Sequence, residues 1–319
     1  VLRTLKVFYG NSNPCLAQDI CRFLDLEPGR LTINQFSNGN IKVKIEENIR
    51  NDDVFVIQTG SSPINDHLVE LLILIDALKY ASAGRITAVL PNYFYCRSDK
   101  KDEPRISITA RLITDLLETA GAQRILTMTL HSPQVMGFPR IPMDQLLATP
   151  TLLSHYRKKD LSNAVVAAPD VGSAKGSRLF SRALNLPLVI LDKERIGDDE
   201  KVVMRNIIGD PQGKDVLIID DEILSGGSIL EATKILKEHG AKKILAGCTH
   251  GFFTNNALEK IQNSCIEEVV TTDTIPQNNI KNYSKLQVLS VAKLFADAIR
   301  AIHDGKSVGD LFENVYLNQ

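Results

Sequence analysis

Short, largely apolar runs alternate with stretches of helical period along nearly the whole chain. Val54-Phe55-Val56-Ile57 precedes a helix-period stretch from Asn65 to Tyr80, and Ile86 to Leu90 follows it. Apolar runs of this length fit strands buried on both faces, and such strands, separated by helices, build parallel sheets. The pattern predicts an α/β fold with mainly parallel sheets. One segment departs from it. Ile41-Lys42-Val43-Lys44-Ile45 alternates strictly between apolar and charged, which predicts a half-solvated strand in an antiparallel or edge hairpin.

A short internal repeat organises the pattern further. Gly121-Ala122-Gln123-Arg124-Ile125-Leu126 ends five residues before His131, and Gly240-Ala241-Lys242-Lys243-Ile244-Leu245 ends five residues before His250. Each copy follows a helical segment and an earlier apolar strand, Ile86 to Leu90 in one case and Val216 to Ile219 in the other. Self-similarity of this kind predicts two related α/β domains, residues 1–148 and 149–319, with the last helix open to packing back on the first domain. The copies differ after the strand. The first carries a long polar insertion, Asn92 to Arg105, and the second a compact turn, Asp221 to Ser228. The carboxyl ends of parallel strands are where sites concentrate.

Charge narrows the partners. With 37 basic and 38 acidic residues the net charge is -1, so no broad positive field awaits nucleic acid or an anionic membrane. The longest strongly apolar stretch, Leu68 to Leu78, contains Glu70 and Asp76 and falls well short of the ~20 residues of a spanning helix. Five cysteines, an odd count without paired metal-type spacing, predict reduced thiols and a cytoplasmic setting. The first residues also lack the charged-then-apolar order of a secretory signal.

The sharpest chemical signal is Val216-Leu217-Ile218-Ile219-Asp220-Asp221-Glu222-Ile223-Leu224-Ser225-Gly226-Gly227-Ser228. A buried strand delivers two carboxylates to its carboxyl end, and a Ser-Gly-Gly-Ser turn opens the next helix. Such a turn aims backbone N–H groups and hydroxyls at a phosphate, helped by the helix dipole. Asp220 and Asp221 stand where they can hold ribose hydroxyls, directly or through a divalent ion.

This segment resembles the phosphoribosyl-diphosphate binding motif shared by phosphoribosyltransferases and phosphoribosyl pyrophosphate synthetases. The rest of the chain resembles the synthetase family. The residues are Phe36-Ser37-Asn38, Pro91 with Tyr95-Cys96-Arg97-Ser98-Asp99-Lys100-Lys101-Asp102, Leu130-His131-Ser132-Pro133-Gln134, Pro169-Asp170-Val171-Gly172-Ser173-Ala174-Lys175, Lys193-Glu194-Arg195, Thr249-His250-Gly251 and Thr274-Ile275-Pro276-Gln277. The resemblance implies two duplicated phosphoribosyltransferase-like domains, ATP on the first and ribose 5-phosphate on the second. It implies Mg2+-dependent transfer of the diphosphoryl group of ATP to the sugar, giving phosphoribosyl pyrophosphate and AMP.

By the same resemblance, His131 and Asp170 are the metal residues that position the Mg2+–ATP, with oxygen donors and waters completing the shell, and His131 also contacts ATP. Phe36, Asn38, Asn40, Arg97, Ser98, Asp99, Lys100 and Asp102 contact ATP, with Phe36 and Asn38 contributed to a neighbouring subunit. Lys193 and Arg195 belong to a closing catalytic loop. Asp220 and Asp221, catalytic residues together with Lys193 and Arg195, join Ser225, Gly226, Gly227 and Ser228 in taking ribose 5-phosphate. A homo-oligomer built from dimers, extending as far as a hexamer, is implied as well.

The chain departs from the family pattern in three respects. Asn40 and Leu224 stand where the family usually carries acids, and the phosphate/ADP regulatory region is matched at Arg50 and Arg105 but not at Asn48 and Pro133. A non-catalytic synthetase-associated subunit is the rival reading, and a salvage phosphoribosyltransferase the third.

Overall fold

The computed structural model describes residues 4–196, 201–278 and 280–312. β1 (Leu5–Tyr9) leads through α1 (Pro14–Leu24) to β2 (Leu31–Gln35), β3 (Ile41–Ile45), β4 (Asp53–Ile57), α2 (Ile64–Tyr80), β5 (Arg85–Leu90), α3 (Thr109–Ala120), β6 (Arg124–Met128) and β7 (Met143–Leu146). Five of these strands form one sheet in the order β1-β4-β5-β6-β7, every neighbouring pair parallel. All five residues of β4 are buried, as its uninterrupted apolar run requires. Asn13 starts α1, its Oδ1 accepting the Leu16 N–H at 3.3 Å, with Pro14 in the first turn; both are favoured helix-starting residues.

β2 and β3 stand apart as an antiparallel pair, with Ile33 opposite Val43 and Leu31 opposite Ile45. The alternation of β3 dictates this. Val43 and Ile45 pack against the core while Lys42 and Lys44 are exposed.

The chain then builds α4 (Thr149–Tyr156), β8 (Ala164–Ala168), α5 (Ala174–Leu184), β9 (Leu188–Ile196), β10 (Lys201–Ile208), β11 (Asp215–Ile223), α6 (Gly227–Glu238), β12 (Ile244–Gly251), α7 (Ala257–Gln262), β13 (Ile266–Thr272) and β14 (Leu286–Leu289). Seven strands form a second sheet in the order β10-β9-β8-β11-β12-β13-β14. Only β10 with β9 is antiparallel. Val216 and Ile218 of β11 pack with Ile229 and Leu236 of α6, whereas Leu217 and Ile219 pack with Tyr156 and Phe180 of α4 and α5. Alternate residues of one strand thus feed two cores, which is why it reads as continuously apolar.

The chain divides into two compact units. Among the described residues the first runs to Leu147 and includes Thr274–Pro276 and Ser290–Phe312, and the second holds Ala148–Asp273 and Gln277–Leu289. α8 (Ala292–His303) therefore belongs to the first unit, although it is encoded after the second. There Arg300 donates to the Leu24 carbonyl at 2.6 Å and His303 Nδ1 lies 2.8 Å from Asp53 Oδ2.

The short repeat marks one passage in both units. α3 leads through Gly121 into β6, and α6 through Gly240 into β12; β5–β6 and β11–β12 are both neighbouring parallel pairs. One expectation is corrected: β11 does not stop at Ile219 but continues to Ile223. Its pairing with β12 persists, placing Glu222 beside His250 and Ile223 beside Gly251.

Candidate active site

The strand order of the second unit creates a site before any side chain is considered. From β8 the chain moves outward to β9 on one side, and from β11 to β12 on the other. Loops leaving the carboxyl ends of β8 and β11 consequently diverge and leave a crevice, the usual ligand position in such sheets. The two ladders also differ in length. Pairing of β11 with β8 ends at Ile218–Ala167, whereas pairing with β12 runs on to Ile223–Gly251. The Asp220-Asp221-Glu222 segment thus runs on past the last residue paired with β8.

Asp170 comes from the loop after β8. Its Oδ1 accepts the Ser173 N–H at 2.8 Å, and the Ser173 hydroxyl donates to the Asp170 carbonyl at 3.0 Å. This local turn fixes the carboxylate at the entrance to α5. On β11, Asp220 Oδ1 accepts the Asp221 N–H at 3.0 Å. Burial raises the Asp220 carboxyl well above its ordinary 3.8, and the charges of Asp221 and Asp170 raise it further. Asp220 therefore feels the charge of both other acids at the crevice, an arrangement that favours a cation or a hydroxyl-rich ligand.

The turn after β11 completes the set. Gly226 precedes α6 at φ 76 and ψ -1, a left-handed conformation that glycine adopts without the strain a side chain would bring. The residue before α6, Gly226, offers no side chain to cap it, while Gly227 and Ser228 are exposed. The first N–H groups of this helix point where an anion is best held. Leu224, half-buried, has its carbonyl taken by the Thr254 N–H at 2.9 Å, so the turn is anchored from behind.

In the first unit, the predicted ATP residues lie on loops from the carboxyl ends of the neighbouring strands β5 and β6. Arg97, Lys100 and Asp102 are exposed on the loop after β5, with Ser98 and Asp99 half-buried, and His131 is exposed three residues beyond β6. The Ser98 hydroxyl donates to the Ser107 carbonyl at 3.2 Å and accepts the Thr109 N–H at 3.3 Å. It ties the loop to the start of α3. Phe36, Asn38 and Asn40 form the tip of the β2–β3 hairpin, with Asn38 Oδ1 accepting the Asn40 N–H at 3.1 Å. Gly39, Asn40 and Ile41 line a groove of about 320 Å3 with Asp66, Val69 and Ile73 of α2. Tyr95 of the β5 loop bonds Asn65 in the same first turn of α2, so the hairpin tip and the β5 loop share that turn as a support.

Lys193 and Arg195 occupy β9, opposite Met204 and Val202 of β10; their side chains, and residues 197–200, lie outside the described residues. The sequence reading missed three contributors. Ser173 holds Asp170, and Ser177 of α5 donates to the Ile219 carbonyl at 3.1 Å, tying that helix to the acidic strand. Asp66 beside Asn40 supplies a carboxylate near the position where the hairpin lacks one. An i, i+3 search forward from Asp170 for a hydroxyl would have found Ser173; the other two are long-range pairings without a sequence signature.

A diverging parallel sheet with an acidic cluster at its split and a Gly-Gly helix start defines an α/β protein built to hold a phosphorylated, hydroxyl-bearing ligand. Comparison with known proteins narrows the class. The profile of the N-terminal domain of ribose phosphate pyrophosphokinase matches residues 5–121, and that of the phosphoribosyl synthetase-associated domain matches residues 198–313. A ribose-phosphate pyrophosphokinase of Deinococcus radiodurans is 49% identical over 313 residues, covering 97% of this chain and 98% of that one. Its counterpart from Caldanaerobacter subterraneus is 47% identical over 310 residues, with 97% and 98% covered. The crystal structure of phosphoribosylpyrophosphate synthetase from Mycobacterium smegmatis superposes with a TM-score of 0.90 at 37% identity, covering 95% of this chain and 100% of that one. The chain belongs to the ribose-phosphate pyrophosphokinase family of enzymes.

Proposed function

We propose that this chain transfers the diphosphoryl group of Mg2+-bound ATP to the C1 hydroxyl of ribose 5-phosphate, giving phosphoribosyl pyrophosphate and AMP for nucleotide synthesis. The observation that carries this reading is the meeting of Asp170, Asp220, Asp221 and the Ser225–Ser228 turn around one strand-end crevice. The turn N–H groups receive the 5-phosphate and the acidic pair receives the ribose hydroxyls, leaving C1 directed out of the crevice. The C1 oxygen attacks the β-phosphorus, its proton is lost, and the bond from that phosphorus to the α-phosphate oxygen breaks, releasing AMP. Lys193 and Arg195, by family likeness, meet the negative charge that spreads over the transferring group.

The donor set fits Mg2+. Among the described residues no group of three or more His, Cys, Asp and Glu forms an all-protein cage, and Mg2+ is ordinarily held by one or two carboxylates together with substrate phosphates and waters. Asp170, with its neighbours Asp220 and Asp221, offers that kind of oxygen set, and His131 is assigned to orient the nucleotide. When bound, the ion supplies charge neutralisation at the phosphates.

Assembly from copies of this chain completes the ATP site in this reading. Phe36 is 53% exposed at the hairpin tip, and Val69, 49% exposed, lines the groove with Asn40 of the same tip, which supports contact with a second copy. No helix among the described residues is long and apolar enough to cross a membrane; the cytoplasm remains the proposed location. The regulatory-subunit alternative has Leu224 in its favour, but the retained acids at Asp170, Asp220 and Asp221 favour chemistry.

AMP release from ATP, Mg2+ and ribose 5-phosphate is the test. Activity should vanish with chelator and fall at least about a hundredfold in His131→Ala and Asp170→Ala. Near-normal turnover in both variants would reject the assignment.

A further inference from the structure

Two side chains with no assigned role, Thr59 and the first residue of the polar insertion, Asn92, stand at equivalent places on neighbouring strands. Thr59 follows the end of β4 by two residues and Asn92 follows the end of β5 by two; they are 0% and 2% exposed. The Asn92 N–H donates to the Thr59 hydroxyl at 3.0 Å, and that hydroxyl donates to the Thr274 carbonyl at 2.7 Å. One oxygen therefore joins the β4 end, the start of the β5 loop and the segment 274–276, all within the first unit. Asn92 Nδ2 donates to the Gly60 carbonyl at 2.9 Å and the Gly60 N–H returns a bond to the Asn92 carbonyl at 2.9 Å.

The network continues inward. The Thr59 N–H donates to Ser12 Oγ at 2.7 Å, the Ser12 N–H to Gln58 Oε1 at 3.1 Å, and Gln58 Nε2 to Glu70 Oε1 at 2.8 Å. Every one of these groups is buried. A buried polar chain is rigid because each member, once unpaired, has no water to turn to.

The loop held by this network carries Arg97. Its backbone is pinned at Asn92 and again at Ser98, whose carbonyl accepts the Ala110 N–H at 3.0 Å. An exposed arginine gains aim only when the chain beneath it is fixed. We propose that Thr59 and Asn92 are positioning residues for nucleotide binding, fixing through one buried hydroxyl the loop that presents Arg97, Asp99, Lys100 and Asp102. The inference deepens the proposed ATP site and rests on that reading.

Thr59→Val keeps the side-chain shape and removes the hydroxyl. The expected result is a KM for ATP raised about tenfold, in line with a lost buried hydrogen bond, with the KM for ribose 5-phosphate changed less than about twofold. Thr59→Ser restores the native value, and Asn92→Ala shifts ATP in the same direction. Hydrogen exchange over residues 93–108 of the full-length protein reads the anchoring without catalysis; it rises in Thr59→Val and returns to native in Thr59→Ser. Equal shifts in both KM values, no shift in Thr59→Val, or unchanged exchange overturns the proposal. If Thr59→Val does not fold, Asn92→Ala alone decides by the same comparison. A native protein that releases no AMP overturns the diphosphoryl-transfer reading instead, and the exchange measurement still decides whether the loop is anchored as described.

Discussion

The Asp221 N–H donates to Asp220 Oδ1 across 3.0 Å, so two adjacent acids on one strand are held in a fixed relation with Asp170 close enough to act on Asp220 by charge. Burial and these neighbours raise the Asp220 carboxyl above its ordinary 3.8. In the window between that value and the raised one, the folded protein binds more protons than the unfolded chain. Stability contributed by Asp220 is accordingly present at low pH and lost as pH rises through the window. Asp220→Asn should flatten this part of the pH profile and raise the melting temperature of the ligand-free protein near neutrality while abolishing activity. Thermal melts across pH read the slope, and a variant with the native slope would show that Asp220 is not the titrating group.

Leu224 lies where the family usually has an acid, but its carbonyl is already bonded to Thr254 and the N–H groups of the following turn do not depend on its side chain. Leu224→Asp should change kcat by less than about tenfold, roughly 1.4 kcal/mol in the barrier, whereas Asp221→Ala should be far more damaging. Activity that arises only in Leu224→Asp would favour the regulatory-subunit reading.

Phe36 sits at a hairpin tip with its ring half in solvent, so Phe36→Ala removes nothing from the core and should leave stability within about 0.5 kcal/mol. Its effect should appear in the KM for ATP and much less in that for ribose 5-phosphate. Specific activity should fall on dilution to a demonstrated monomer, measured by sedimentation beside the assay; full activity in that monomer contradicts an ATP site shared between copies.

Asp53 is 1% exposed and receives Arg85 through Nε at 2.6 Å, with His303 Nδ1 at 2.8 Å on the other oxygen. Removing one partner of a buried charged set leaves the other uncompensated, at a cost of about 3–5 kcal/mol. Asp53→Ala should destabilise the protein on that scale in urea unfolding, and His303→Ala by clearly less because the Arg85 contact survives. Equal effects would mean that the Arg85 contact contributes little.

The elements with a strong local period were legible in the sequence. The all-buried β4, the hairpin strand β3 and the helix from Ile64 to Tyr80 each carry a hydrophobic repeat that one environment explains. β11 was read short because Asp220, Asp221 and Glu222 resemble a loop; only its partner β12, continuing to Gly251, shows why polar residues remain in the ladder. The acidic pair and the Gly-Gly turn were visible because their neighbours in the site are neighbours in the chain. The anchor of Thr59 on Asn92 was not, since small polar residues far apart in sequence have no period and their meeting depends on which strands lie side by side. The same holds for Arg300 on Leu24, separated by almost the whole chain.

The return of α8 to the first unit has a consequence at the ribosome. β7 ends at Leu146 and α8 begins at Ala292, with the second unit made between them; at ~5–20 residues per second that interval lasts on the order of ten seconds. Throughout it, the N-terminal half stands translated but without the helix that packs on α1 and the histidine that meets Asp53. Among the described residues the second unit is nearly contiguous in the chain and has no such wait. Among the described residues, the unit that leaves the ribosome first is therefore the one completed last, and a nascent chain stalled before residue 290 leaves the face that α8 covers unfinished, open to whatever chaperones attend it.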